Sequence, residues 1–465
     1  MRNSLCSLVV LCSSQLLLVA LLFLSSSASA QEVIWTKTYG GWAADQGFGI
    51  CSTTYGGFIL TGQSSSYGTQ SQVLVVKTDS NGDTLWTKNY GGYGWDQGNS
   101  IQQTTDGGFI LAGWTASYGD PFAAYLIKTD SAGDTLWTRT YITGYAADAI
   151  SVRQTSEGGY ILVGSTYSLA TSEYDVYLVK TDPSGEVEWS KTYGGNRDDR
   201  GLSVEQTTDG GYVVCGYTQS FASYSGVYLI KTDSQGDTAW TRVYDAPGCY
   251  MAVGEWVQQT LDGGYVITGN SICYPEPGHY DLILIKTNED GDTIWARHYG
   301  EQFADFGNAV RQTPDSGYVA VGMTQSFGAD NKDLCVIKTD ENGDSLWART
   351  YGGNADESGT EVVLDSAGNY IVLGLTRSWG AGDSDFYLLK IDPLAQFVRG
   401  DGNGDGAVNS SDVVYLINYL FRDGPPPEPL IAGDANCDVS VNAADVIYLI
   451  NYLFTGGPKP GCMCT

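Results

Sequence analysis

Apolar and polar positions alternate along most of this chain in short runs, and the runs return in the same order. A stretch such as "GGFILAGWT" (107–115) is followed by "AAYLIKTD" (123–130), then by a polar turn and by "TLWTRTY" (135–141). Each run is short and rich in Val, Ile, Tyr and Thr, and Gly, Asp and Asn stand between the runs, the pattern of antiparallel strands joined by tight turns. A further strand, "NSIQQT" at 99–104 in this unit, precedes the Asp-Gly-Gly turn. Four strands per unit predict a propeller blade.

The tryptophans give the period. Trp35, Trp86, Trp137, Trp189, Trp240, Trp295 and Trp347 sit in variants of one phrase at spacings of 51, 51, 52, 51, 55 and 52. A repeat near fifty residues with period-2 alternation excludes a helical solenoid. The first tryptophan strand comes before any complete unit, and the last unit lacks one after Lys390. The segment Ile34–Tyr39 is therefore predicted to complete the blade made by 356–391, which removes two open sheet edges. The expected fold is all-β, a seven-bladed propeller of four-stranded blades closed by its N-terminal strand, over residues 31–392.

Residues 1–30 have a different pattern: Arg2, an apolar run from Leu8 to Leu24, and Ala28-Ser29-Ala30. This is the pattern of a secretory signal with its cleavage site, and no other stretch is long and apolar enough to span a bilayer. A secreted, extracellular or cell-surface location follows as the expectation. The formal charge of −29 disfavours nucleic acid and anionic membranes as partners. Eight cysteines remain after the leader, too few and too scattered to serve as a scaffold, so packing must supply the core. Cys249 and Cys273 lie in two loops on one face of blade five and form a candidate disulfide.

Two sets of repeated residues carry candidate chemistry. The third-strand lysines (Lys77, Lys128, Lys180, Lys231, Lys286, Lys338, Lys390) recur in every blade and read as scaffold. An acid also recurs just after the tryptophan strand, at Asp45, Asp96, Asp148, Asp199, Asp305 and Asp356, and blade five lacks it. These acids either cap their own turns through backbone N–H groups or ring one mouth of the channel, where they could hold a cation or a hydroxyl-rich ligand. Loops on the same face carry Trp42, Tyr93, Trp95, Tyr145 and Trp379. Exposed rings beside acids suit stacking on sugar faces, so a glycan is a candidate ligand. No Gly-x-Ser-x-Gly, His-Glu-x-x-His or other catalytic grouping is present, and there are only two histidines.

The C-terminal segment contains two related loops beyond a linker at 393–399. "DGNGDGAVNSSD" places Asp401, Asn403 and Asp405 at loop positions 1, 3 and 5, the Ala407 carbonyl at 7, Asn409 at 9 and Asp412 at 12. The second loop repeats this with Asp434, Asn436, Asp438, the Ser440 carbonyl, Asn442 and Asp445. This oxygen-rich spacing suits Ca²⁺. Two ions are expected, the second held more weakly because Val439 stands where the turn favours positive φ. Each loop runs into one apolar helix, "DVVYLINYLF" or "DVIYLINYLF", with none preceding it.

Two such units joined by a Pro-rich connector closely resemble a type I dockerin over about 400–454, within a C-terminal domain at 400–465. The resemblance implies a Ca²⁺-folded module that docks onto a cohesin domain of a scaffold or cell-surface protein. It implies partner choice at Ser410 and Ser411, with Tyr415 and Tyr419 reaching the partner. Dockerins usually accompany polysaccharide breakdown. The leading expectation is thus a non-catalytic recognition propeller recruited by its dockerin. The alternatives are a glycoside hydrolase or lyase with its acids among the ring aspartates or in blade five, and a structural cell-surface protein.

Overall fold

The computed structural model describes residues 33–457 apart from 69, 119–120, 245–248, 274–279, 301–302, 327–330, 393–399, 404–407, 423, 426, 428–432, 434 and 437–440. Contacts divide the chain into two compact units, Glu32–Gln396 being one and the C-terminal segment from Phe397 belonging to the other. The leader and the linker lie outside the described residues.

The first unit is a seven-bladed propeller. In blade one the strands Asp45–Ser52, Phe58–Ser64, Gln72–Thr78 and Thr84–Tyr90 pair in sequence order, all antiparallel. Five further blades repeat that order, and the first strand of blade three is interrupted between Ala147 and Ser151. Blade seven takes its outer strand from the other end of the chain: Val33–Tyr39 pairs antiparallel with Asp385–Ile391, Thr36 opposite Leu389. The strand expected at 34–39 thus closes the ring.

Burial follows position within the blade. Second and third strands are nearly continuous apolar runs, buried on both faces between neighbouring blades. Fourth strands alternate exposed and half-buried residues, as outer edges should. The repeated tryptophans link consecutive blades. Trp86 of blade one meets Phe109 of blade two edge-on at 6.0 Å, and Trp137 meets Tyr160 of the next blade at 5.9 Å. Tyrosines at the ends of the same strands donate to glycine carbonyls in the following blade, as in Tyr90 to Gly133 at 2.7 Å and Tyr193 to Gly236 at 2.6 Å.

The third-strand lysines are scaffold elements. Lys128, Lys231, Lys286 and Lys338 are buried and reach an aspartate in their own blade's first hairpin turn at 2.8–2.9 Å. Lys180 uses Glu188 instead, at 2.8 Å.

The second unit contains two helices, α1 (Ser410–Phe421) and α2 (Ala443–Thr455). Val413, Leu416, Ala435, Val446 and Leu449 form its core, flanked by Ile417, Leu420 and Leu453. Among the described residues no helix is long and apolar enough to cross a membrane.

Candidate functional site

The recurring acids occupy the start of the innermost strands, facing inward and away from solvent. Asp45, Asp96 and Asp199 are fully buried and Asp305 nearly so. Asp96 accepts from Ser117 Oγ at 2.6 Å, from Thr115 Oγ1 and from the Gly92 N–H at 2.9 Å. Asp199 repeats the arrangement with Ser220, Thr218 and the Gly195 N–H. These carboxylates staple the turn between fourth and first strands to the loop between second and third strands.

Two members of the set stand elsewhere. In blade seven the equivalent position is Glu357, which accepts from Thr376 Oγ1 at 2.7 Å and from the Gly353 N–H at 2.8 Å. Asp356, one residue earlier, pairs instead with Arg377 at 3.6 Å. In blade three the equivalent of Asp96 is Ala147, opposite Thr166 as Asp96 is opposite Thr115. Asp148 accepts from the Ser165 N–H at 2.7 Å, and burial pushes its carboxyl up. Equal sequence spacing misses such one-residue shifts, which the strand register reveals.

The loop aromatics differ in availability. Trp42 and Tyr93 are almost fully exposed, at 90 and 95 %, and Trp95 is 57 % exposed. Tyr145 packs on Tyr167 at 6.4 Å, and Trp379 on Tyr387 at 5.2 Å. Cys249 and Cys273 stand opposite each other in the pairing of the first two strands of blade five. Their side chains lie outside the described residues.

A cavity of about 250 Å³ lies among the innermost strands. Its lining includes Asn99, Ser151, Glu255, Trp256, Asn308, Thr360 and Glu361. Glu255 sits in a break of the ladder between Gly254 and Trp256 and accepts from Asn270 Nδ2 at 3.2 Å. Burial pushes its carboxyl up to about 7, so it exchanges a proton near neutrality. Arg153 and Arg311 lie over the Trp256 ring at 5.3 and 4.3 Å. Arg311 also holds Glu361 at 3.0 Å, and Glu361 accepts from the Ile50 N–H at 2.9 Å. Glu361 is thereby tied to Arg311 and the Ile50 N–H, whereas the bond described for Glu255 is the one from Asn270. Sequence reasoning passed over this cavity. Its signal is variability inside the repeat: equivalent innermost positions read Phe48, Asn99, Ile150, Leu202, Glu255, Asn308 and Thr360, whereas the packing positions hardly change.

In the second unit, Asp401, Asn403, Asn409 and Asp412 of the first loop and Asn436, Asn442 and Asp445 of the second are described. Asp405, Ala407, Asp434, Asp438 and Ser440 lie outside the described residues. The two halves share one geometry. Asn409 caps α1 by accepting from the Ser411 N–H, and Asp412 Oδ2 accepts from the Asn409 N–H at 2.8 Å. Its Oδ1 reaches back to the Asn403 N–H at 3.2 Å. Asn442, Asp445 and Asn436 repeat all three bonds at α2. Asp401, Asp412 and Asp445 are buried. Position 12 thus both completes a capping box and folds the loop over the helix start. An oxygen-only set with buried carboxylates at both ends of the first loop fits a hard cation such as Ca²⁺.

Ser410 and Ser411 are exposed at the head of α1, while Tyr415 and Tyr419 are half-buried. The more exposed apolar side chains are Val414 and Phe421 on α1, and Ile447 and Phe454 on α2. Ile450 on α2 is 39 % exposed.

Residues 399–454 match the dockerin type I domain family. No curated protein sequence matches the chain. Similar solved structures include Sqt1 from Chaetomium thermophilum, at 10 % identity, TM-score 0.45, covering 76 % of this chain and 86 % of that one. The β-propeller domain of the Trilobed protease from Pyrococcus furiosus has 9 % identity and TM-score 0.43, with 76 % and 94 % covered. A protein of unknown function from Dyadobacter fermentans has 12 % identity and TM-score 0.43, with 77 % and 99 % covered.

Proposed function

We propose that this is a secreted recognition propeller carried to a cohesin-bearing scaffold or cell-surface protein by its C-terminal dockerin, where it takes part in extracellular polysaccharide binding or breakdown. The dockerin match brings Ca²⁺-dependent assembly with a cohesin. The observation that carries the reading is the duplicated loop end, in which Asn409 with Asp412 and Asn442 with Asp445 build the same capped start for each helix. Asp401, Asn403, Asp405, Ala407, Asn409 and Asp412 would hold one ion. The second set, from Asp434 to Asp445, would hold another more weakly. Ser410 and Ser411 head α1 beside exposed apolar side chains, a polar and apolar mixture suited to a protein partner.

On the propeller, Trp42, Tyr93 and Trp95 offer exposed ring faces for a glycan. The carboxylates expected beside them are sealed beneath the loops, so stacking supplies the contact. Isothermal titration of the full chain with a type I cohesin should give binding in Ca²⁺ and none in EDTA. Binding that survives chelation would overturn the reading. The hydrolase or lyase alternative draws on Glu255, the titrating acid of the inner cavity. It requires polysaccharide cleavage that Glu255→Gln abolishes.

A further inference from the structure

At each blade seam, the third strand of one blade begins beside the innermost strand of the next. The N–H groups of Asp45, Asp96, Ala147, Ala252 and Glu357 donate across the seam to the carbonyls of Ser384, Ser71, Phe122, Ser225 and Lys332, at 2.6–3.2 Å. The residue after each of those carbonyls therefore faces the innermost strand's first residue. Read around the ring, Asp385 faces Asp45, Gln72 faces Asp96, Ala123 faces Ala147, Gly226 faces Ala252, and Asp333 faces Glu357. Asp175 meets Asp199 beside Gly194, and Asp281 meets Asp305 beside Gly300.

The two positions vary together. Acid faces acid at four seams, an amide faces an acid at one, and small residues face each other at two. No carboxylate stands across a seam from a small residue. If the innermost acid served only to close its own turn, the residue across the seam would have no reason to follow it. Two buried anions brought together repel strongly, so something shared must lie between them.

Asp45 Oδ2 accepts from the Gly41 N–H and from Ser66 Oγ, both at 2.7 Å, and Asp45 Oδ1 is buried with no partner. Asp385 Oδ2 accepts from the Ala381 N–H at 2.6 Å. Asp385 Oδ1 is buried and has no partner, in a residue only 1 % exposed. It lies beside Asp45: Asp385 Oδ1 and Asp45 Oδ2 both stand over Gly40, 1.8 and 2.7 Å from where a Cβ would be, so only glycine fits there. Tyr67 is the other titratable group that senses both carboxylates, and its hydroxyl is committed to the Gly40 carbonyl at 3.1 Å. The described donors here are N–H and O–H groups, the surroundings of a proton-sharing acid pair.

We propose that Asp385 is a neutral carboxyl whose Oδ1–H donates to the Asp45 carboxylate, so that one proton locks blade seven to blade one and the lock loosens as that proton leaves. Burial, and then the Asp45 charge, push Asp385 up to about 6, in keeping with this. Burial and Asp199 likewise raise Asp175 at the seam between blades three and four. The sign follows from linkage. A carboxyl with a higher value folded than unfolded stabilises fully below the unfolded value, and that contribution declines as pH rises to about 6.

Asp385→Asn supplies a permanent amide donor in place of the neutral acid. All twelve tryptophans precede residue 380, so their fluorescence reports propeller melting alone in the full-length protein. In EDTA the wild-type midpoint should fall as pH rises from about 4 to 7, and D385N should flatten that slope and melt a few degrees higher at pH 7. The infrared carboxylic-acid C=O band lost between acidic and neutral pH should be smaller in D385N, a readout independent of the variant's stability. An unchanged pH slope and an unchanged infrared difference would overturn the proposal. So would Ca²⁺ raising the wild-type propeller midpoint but not that of D385N, which would make the shared partner a cation.

Discussion

A repeated residue earns a role only when its partners repeat with it. The lysines of the third strand do so. Lys231 meets Asp209 at 2.8 Å, and Asp209 also accepts from Thr207 Oγ1 and the Gly211 N–H. Partial burial opposes the charge of Asp209, but Lys231, Thr207 and Gly211 outweigh it and hold the carboxyl down at about 2; Asp106 is held at about 2 in the same way. A carboxylate depressed in the folded state stabilises above its unfolded value and loses that contribution as pH falls through the folded one. Tryptophan-detected melting should therefore weaken steeply between about pH 4 and pH 2, and Asp209→Asn should make that decline shallower. A slope that D209N leaves unchanged would show that these pairs do not govern acid unfolding. The ring acids teach the complementary lesson. Their recurrence was legible in the sequence, but which oxygen or N–H each one meets was not, because a one-residue shift in blades three and seven alters the partner without altering the phrase.

Strands and turns were the most legible level, since hairpin turns leave strong marks. Gly133 shows why. Its φ of +81° is unfavourable for residues with a Cβ, and a Cβ there would stand 2.8 Å from the Trp86 ring of the preceding blade. The Asp-x-x-Gly-Asp turn is thus also the seat of the inter-blade tryptophan. Gly133→Ala should cost more than about 1 kcal/mol, from backbone strain and the displaced ring together. Loss of stability below that level in chemical unfolding would mean the ring has room to move. Helices were less legible. The stripe at Leu449, Ile450 and Leu453 reads as one buried face, yet the buried apolar residues of α2 are Val446 and Leu449, with Leu453 partly buried beside them. Ile450 falls to the margin because which edge of an apolar stripe is covered depends on the facing helix, here α1.

At the scale of the molecule, two kinds of stability meet in one chain. The propeller is held by burial spread over seven blades and by a ring closed with its own N-terminal strand. Among the described residues the dockerin segment has a small core, five buried apolar residues from Val413 to Leu449, and its loops are dense in carboxylates. So small a core gains little from burial alone, and a bound cation adds its binding free energy to folding. Removing Ca²⁺ with EDTA from the full-length protein should therefore abolish the helical circular dichroism of α1 and α2 while tryptophan emission and the propeller's melting midpoint stay as they were. Both capping boxes rely on an aspartate that also ends its loop, so Asp412→Ala should mimic chelation in the first half, lowering Ca²⁺ affinity and helix content together. If helicity persists in EDTA, the capped helices are self-sufficient and calcium serves docking only. If tryptophan emission changes with helicity, the two units fold as one.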